Sequence, residues 1–161
     1  MKKNNILLVG LDYNFTKRVG EEFALLHNLY PLDTNDLSEY SLLNSQKMKD
    51  ICGMEYFERE QKKVILSIAD YENVVVNFPY SLLLNDEYFG VLNNFSIVFI
   101  DLDKKVLEGF NKLKSDDNNL DVELLAFEEL REVLVNRCEF TVCTGGKIED
   151  CIKKLNKLNI V

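Results

Sequence analysis

The chain has 161 residues, 47% of them apolar and 29% charged, which suits one globular domain built round a single core. Its formal charge of −8 and pI near 4.8 leave no basic stripe to displace counterions from a nucleic-acid backbone. Its longest apolar runs, such as Ile97-Val-Phe-Ile100, fall far below the roughly 20 residues of a membrane span, and no secretory leader follows Met1, so a cytoplasmic protein with neither nucleic acid nor membrane as partner is expected.

The first element is a strand, Asn5–Gly10, followed by a turn and a helix on which Phe15, Val19, Phe23 and Leu26 recur at helical spacing. A second strand, Leu29–Asp33, precedes a helix carrying Phe57, Val64, Ile65 and Ile68. Strands at Asn73–Phe78 and Phe95–Asp101 follow, then a helix with Val106, Leu107, Phe110 and Leu113. Ser115–Asp121 is polar and acidic and reads as a surface loop. A fifth strand, Arg137–Thr144, turns through Gly145-Gly146 into a last helix with Ile148, Cys151, Ile152, Leu155 and Leu158 on one stripe. The lysines of that helix form a solvated face. The strands are continuous apolar runs rather than alternating ones, as parallel strands covered on both faces require. One domain over 1–161 is expected, a three-layer α/β/α fold with a five-stranded parallel sheet.

The four cysteines, Cys52, Cys138, Cys143 and Cys151, include no C-x-x-C pair, and His27 is the single histidine. Reduced core thiols are expected and no metal site.

The opening stretch from Asn5 to Arg18 has the outline of a phosphate-binding loop: buried strand, glycine, turn, amphipathic helix. Gly10, Asn14, Thr16, Lys17 and Arg18 are its candidate anion contacts, with Lys17 and Arg18 offering charge at a helix N-terminus. The bland alternative makes Lys17 and Arg18 exposed cations, Asn14 a helix N-cap and Phe15 a core residue.

In this order of elements the whole chain resembles the shikimate kinases, of the nucleoside-monophosphate-kinase-like P-loop fold. Ile6-Leu-Leu-Val-Gly10 resembles the family's first strand and the first glycine of its GxxGxGK[ST] loop. Leu32-Asp-Thr-Asn-Asp36 resembles its Asp-x-Asp segment, and Glu55 to Ile65 its glycine-Phe-Arg helix. Val98-Phe-Ile-Asp-Leu-Asp103 resembles its fourth strand, and Cys138-Glu-Phe-Thr-Val-Cys-Thr144 its closing strand. The resemblance implies ATP–magnesium phosphorylation of a small hydroxylated acid. It would give Asp33 the magnesium and general-base role, Asn35 (with Asp36 nearby) a substrate hydroxyl, and Arg59 and Arg131 the substrate carboxylate. Asn35 or Asp36 reads equally well as a helix cap.

Against that pattern the motifs are degenerate. Counted from Gly10, the two later loop glycines fall on Tyr13 and Phe15, whose rings would fill the phosphate space. The lysine falls on Thr16 and the magnesium hydroxyl on Lys17; one extra residue would make Lys17 the lysine and Arg18 the hydroxyl position. Glu58 stands at the family's substrate arginine, with Arg59 one step on, and Arg131 is about one residue out of register. Phe78-Pro79-Tyr80-Ser81 replaces a triple glycine, and the lid-like loop at 114–122 is acidic. The expectation is a non-catalytic binding or regulatory protein, monomeric or weakly dimeric, with a small molecule or protein in the old cleft and no cofactor. The alternative is an active kinase using ATP and magnesium. A second alternative is a receiver-like signalling domain, with Asp12 at its first strand, Asn77 where the third strand's aspartate belongs and Lys147 as a loose fit to its lysine.

Overall fold

The computed structural model describes residues 4–37, 45–112 and 120–161. Five strands, β1 (Asn5–Gly10), β2 (Tyr30–Asp33), β3 (Val74–Asn77), β4 (Ser96–Leu102) and β5 (Phe140–Thr144), form one parallel sheet in the order β2-β3-β1-β4-β5. Leu8 lies opposite Asn77 on one side and Val98 on the other, so β1 is fully flanked and all six of its residues are buried.

Alternate strand residues feed two core layers, as period-two geometry demands. Ile6, Leu8, Val75, Val98 and Ile100 pack with Phe15, Val19 and Phe23 of α1 (Tyr13–Leu26) and with Cys151 and Leu155 of α8 (Ile148–Asn156). Leu7, Val9, Val76 and Phe99 face the other way, onto Val64, Ile65 and Ile68 of α3 (Met54–Ala69). The three-layer α/β/α architecture is therefore as expected. A short helix, α2 (Ser45–Cys52), precedes α3, and α6 (Lys104–Lys112) follows β4.

One stretch left unassigned by the sequence is helical, and two local expectations need correction. Residues 80–92 carry two short helices, α4 (Tyr80–Leu83) and α5 (Asp86–Val91), the second capped by the Asn85 side chain, which accepts from the Glu87 and Tyr88 N–H groups. A long helix, α7 (Leu120–Arg137), takes up Leu120 and Asp121 of the expected loop, whose residues 115–119 lie outside the described ones. Arg137 ends α7 rather than opening β5, because its guanidinium is held by the Leu83 carbonyl at 2.8 Å and by Asp86. The lid-like segment 114–122 is thus described only from Leu120 onward.

Strand order also removes the receiver-like alternative. That fold places β1 between β2 and β3, whereas here β3 lies between β2 and β1. At the β2 edge, the Tyr30 N–H donates inward to the Asn73 carbonyl. The next residue, Pro31, accordingly has its nitrogen on the outer edge, where a missing donor costs nothing. Among the described residues no helix is long and apolar enough to cross a membrane.

Candidate functional site

Ligands of open α/β sheets bind beyond the carboxyl ends of the strands, and most of the candidate residues gather there. β1 ends at Gly10 and α1 starts at Tyr13, so only Leu11 and Asp12 connect them. A phosphate nest needs backbone at positive φ to turn successive N–H groups inward. None of the described residues with positive φ lies between 10 and 18.

One of the free amides of the helix start, that of Phe15, is instead taken by Asp12. Its carboxylate accepts from the Phe15 N–H at 2.9 Å, and its carbonyl takes the Thr16 N–H at 3.2 Å and the Thr16 hydroxyl at 2.9 Å. Asp12 is only 5% exposed. The helix N-terminus, where positive partial charge would favour a phosphate, already holds a carboxylate of the chain itself.

This geometry corrects two expectations. Asp12 is the N-cap, while Asn14 is exposed on the first helical turn. Tyr13 and Phe15 do not close a loop hollow with their rings: Phe15 is in the core and Tyr13 reaches sideways to β2. The turn itself consists of Leu11 and Asp12 alone, and Asp12 caps the helix. Gly10 serves the same packing, since a Cβ there would lie 2.2 Å from the Thr16 hydroxyl oxygen and 3.3 Å from the Ile100 carbonyl oxygen. Gly10→Ala should therefore cost about 1–3 kcal/mol by overpacking, read as a lower urea midpoint at unchanged slope.

Asp33, at the end of β2, is the hub of the site. Its Oδ1 accepts from the Tyr13 hydroxyl at 2.7 Å and the Asn77 amide at 2.9 Å, and its Oδ2 from the Asp36 N–H at 3.0 Å. Lys17 Nζ lies 3.8 Å from Asp33 Oδ2 and 3.0 Å from Asp36 Oδ2. The hydrogen bond to Asp36, with the charge of Asp33 behind it, holds the Lys17 ammonium above its ordinary range. Burial, then the bond to Asp33, pushes the Tyr13 phenol up as well. The Tyr13 oxygen in turn accepts from the Asn35 N–H at 3.2 Å. Lys17 is thus paired with Asp36 and Asp33 rather than an unpaired surface cation, and Arg18 is exposed.

The remaining candidates lie elsewhere. Arg59 is on the exposed face of α3, its guanidinium 6.0 Å from the Tyr56 ring centre. It lines a groove of about 650 Å³ with Glu55, Glu58 and Glu87, across which Lys62 pairs with Glu87. Arg131 on α7 places Nε and Nη2 at 2.8 and 2.7 Å from Asp101 Oδ2, and that carboxylate raises its pKa. It borders a separate cavity of about 890 Å³ beside Phe127, Cys143 and Lys154. Lys17 with Asp33, Arg59 and Arg131 therefore line three different cavities. Cys138 and Cys151 are core thiols as expected, but Cys52 and Cys143 are exposed.

Tyr13, Asp12 and Asn77 were not expected in these roles. Asp12 carried a readable cap signal, an aspartate just before the helical stripe; the Tyr13–Asp33–Asn77 contacts carried none, because they depend on which strands are neighbours.

No family model matches the chain. Over 115 residues it is 26% identical to the shikimate kinase of Prochlorococcus marinus (strain NATL2A), covering 70% of this chain and 56% of that protein. The chain thus spans just over half the length of that relative. The crystal structure of shikimate kinase from Bacteroides thetaiotaomicron superposes with a TM-score of 0.79 over 98% of both chains, at 17% identity. That of the enzyme from Aquifex aeolicus gives 0.73 over 96% of this chain and 99% of that one, at 22% identity. This is a shikimate-kinase-like fold.

Within the shikimate-kinase-like fold, a magnesium ion would call on the Asp33 carboxylate and a hydroxyl at the start of α1. The residues present do not fit it. Thr16, whose hydroxyl donates to the Asp12 carbonyl, is only 1% exposed, and both Asp33 oxygens already accept from protein donors. Among the described residues no group of three or more His, Cys, Asp or Glu is placed to hold a metal ion.

Proposed function

We propose that this chain is a shikimate-kinase-like protein without kinase activity, acting as a binding or regulatory protein in the cytoplasm. The observation that carries this reading is the Asp12 carboxylate seated on the N-terminus of α1. A bound phosphate would compete for the Phe15 amide and would face the charge of Asp12. Phosphoryl transfer depends almost wholly on positioning and charge neutralisation; loss of one preorganised donor commonly costs 10²–10³ in rate. Here the nest, the magnesium hydroxyl and the arginine at Glu58 are all replaced. The partner is a small molecule or a protein occupying the former cleft, and the chain is a monomer or weak dimer; a net charge of −8 speaks against nucleic acid.

The active-kinase alternative draws on the 26% identity to a shikimate kinase and on Asp33, which keeps its place at the end of β2. An ADP-release assay with ATP–magnesium across a panel of small hydroxylated acids separates the two. Background rates throughout are expected; acceptor-dependent turnover that Lys17→Ala abolishes would replace this reading with the kinase.

A further inference from the structure

We propose that the groove between α3 and the start of α5 binds a small zwitterion, a free amino acid or a short peptide, by the opposite charges of its two ends. The groove measures about 650 Å³, inside the range of small-ligand sites. Glu55, Glu58, Arg59, Lys62, Glu87 and Tyr88 are among its lining residues. None of them lines the cavities at Lys17 and Arg131.

The polar anchor is Tyr88. The Asn85 cap, which accepts from the Glu87 and Tyr88 N–H groups, fixes the first turn of α5. Tyr88 then places its ring in the core layer of Ile65, Ile68 and Leu83, and the residue is only 8% exposed. Its hydroxyl is the end that reaches the groove, where the charges of Glu87, Lys62 and Glu58 act on it. That hydroxyl is not sealed from solvent, and it makes no hydrogen bond among the described residues. Burial, then the charge of Glu87, raises the phenol above its ordinary range, so at neutral pH it keeps a proton to donate.

The charges select the ligand. Lys62 and Glu87 satisfy each other across the groove. The Glu55 and Glu58 carboxylates and the Arg59 guanidinium form no ion pair among the described residues. A plain anion would face the two glutamates, and a plain cation would face Arg59 and Lys62. A molecule carrying both signs meets neither repulsion: its ammonium turns to Glu58 and Glu55, its carboxylate to Arg59. Glu58 and Arg59 are neighbours about 100° apart round the helix, so they can take the two ends of one small molecule. The lining is mostly polar, so the ends are read more than any apolar side chain. The proposal does not rest on the loss of kinase activity, and nucleotide titrations do not bear on it.

The test is a titration of the isotope-labelled full chain followed by its amide NMR signals, with each common amino acid and with diglycine as probes. The signals of Glu58, Arg59 and Tyr88 should move saturably, with a dissociation constant of about 1 mM for the tightest probe, as exposed charges allow. Its N-acetyl derivative, without the ammonium, and its amide, without the carboxylate, should each bind about fivefold more weakly or worse. Tyr88→Phe should weaken binding about fivefold, the worth of one hydrogen bond, and Glu58→Gln and Arg59→Gln about three- to fivefold each. Glu58 and Arg59 are exposed and Tyr88→Phe keeps the ring, so the unfolding midpoint should hold in all three. Whether an amino acid or diglycine binds tighter names the source. No saturable movement with any probe, or a constant unchanged by blocking an end or by the three variants, would overturn the proposal.

Discussion

Asp33→Ala should destabilise the protein by about 3–5 kcal/mol, among the larger losses a single substitution produces. The removed carboxylate is the acceptor for the Tyr13 hydroxyl, the Asn77 amide and the Asp36 N–H. A donor left unmet in a buried setting costs about 1–3 kcal/mol; the Tyr13 and Asn77 donors are part-buried, the Asp36 N–H is exposed, and the Asp33 side chain is only 7% exposed. Asp33→Asn keeps one acceptor oxygen and should lose about half as much. Urea unfolding at constant slope reads both values. A base poised for catalysis would behave otherwise, since its removal would silence turnover while leaving the midpoint nearly in place. The expected result therefore marks Asp33 as the knot that ties α1 to β2 and β3.

The second large effect is alkaline. Burial pushes the Cys138 and Cys151 thiols up from 9.0 to about 12. A thiol is uncharged when protonated, so the folded chain keeps two protons that the unfolded chain releases above pH 9. Stability is then complete below pH 9 and falls as pH climbs toward 12, by up to about 2.7 kcal/mol per pH unit when both thiols contribute. Tyr13, also raised above its ordinary 10.0, adds to the fall beyond pH 10. A domain in the lower half of the usual 5–15 kcal/mol should unfold before pH 12. Urea midpoints at pH 8, 9, 10 and 11 in reductant check this, and Cys151→Ala should roughly halve the slope. A profile flat to pH 11 would show that neither thiol is as buried as the packing of α7 and α8 makes it.

The sheet was legible because Ile6-Leu-Leu-Val9, Val74-Val-Val76 and Ile97-Val-Phe-Ile100 admit few solutions except strands buried on both faces. The stripes of α1, α3 and α8 were legible for the matching reason, one apolar face each. Helix α7 was not, since it opens in an acidic, asparagine-rich stretch and leaves Val133 exposed at 44%, so no single apolar face announces it. Helices α4 and α5 are one turn and under two turns long, and only the Asn85 cap signals them.

The site was less readable than the sheet. Asn14 and Asp12 are both good N-cap residues, and the choice fell to Asp12 because Gly10 packs against Thr16 and leaves room for just two connecting residues. Tyr13 and Phe15 mark the loop as departing from a glycine-rich pattern, but the short turn and the Asp12 carboxylate on the helix start were not among the expectations. The Asp33 hub spans contacts of 20 and 44 residues in sequence, and only strand neighbourhood brings those groups together.

The central claim is that the N-terminus of α1 has no room for a phosphate because Asp12 already lies on it. Isothermal titration of ADP, and of ATP with magnesium, into the full chain tests it most directly. No heat is predicted, with any dissociation constant weaker than about 100 μM, or −5.5 kcal/mol. Saturable binding tighter than that, lost in Lys17→Ala, would contradict it.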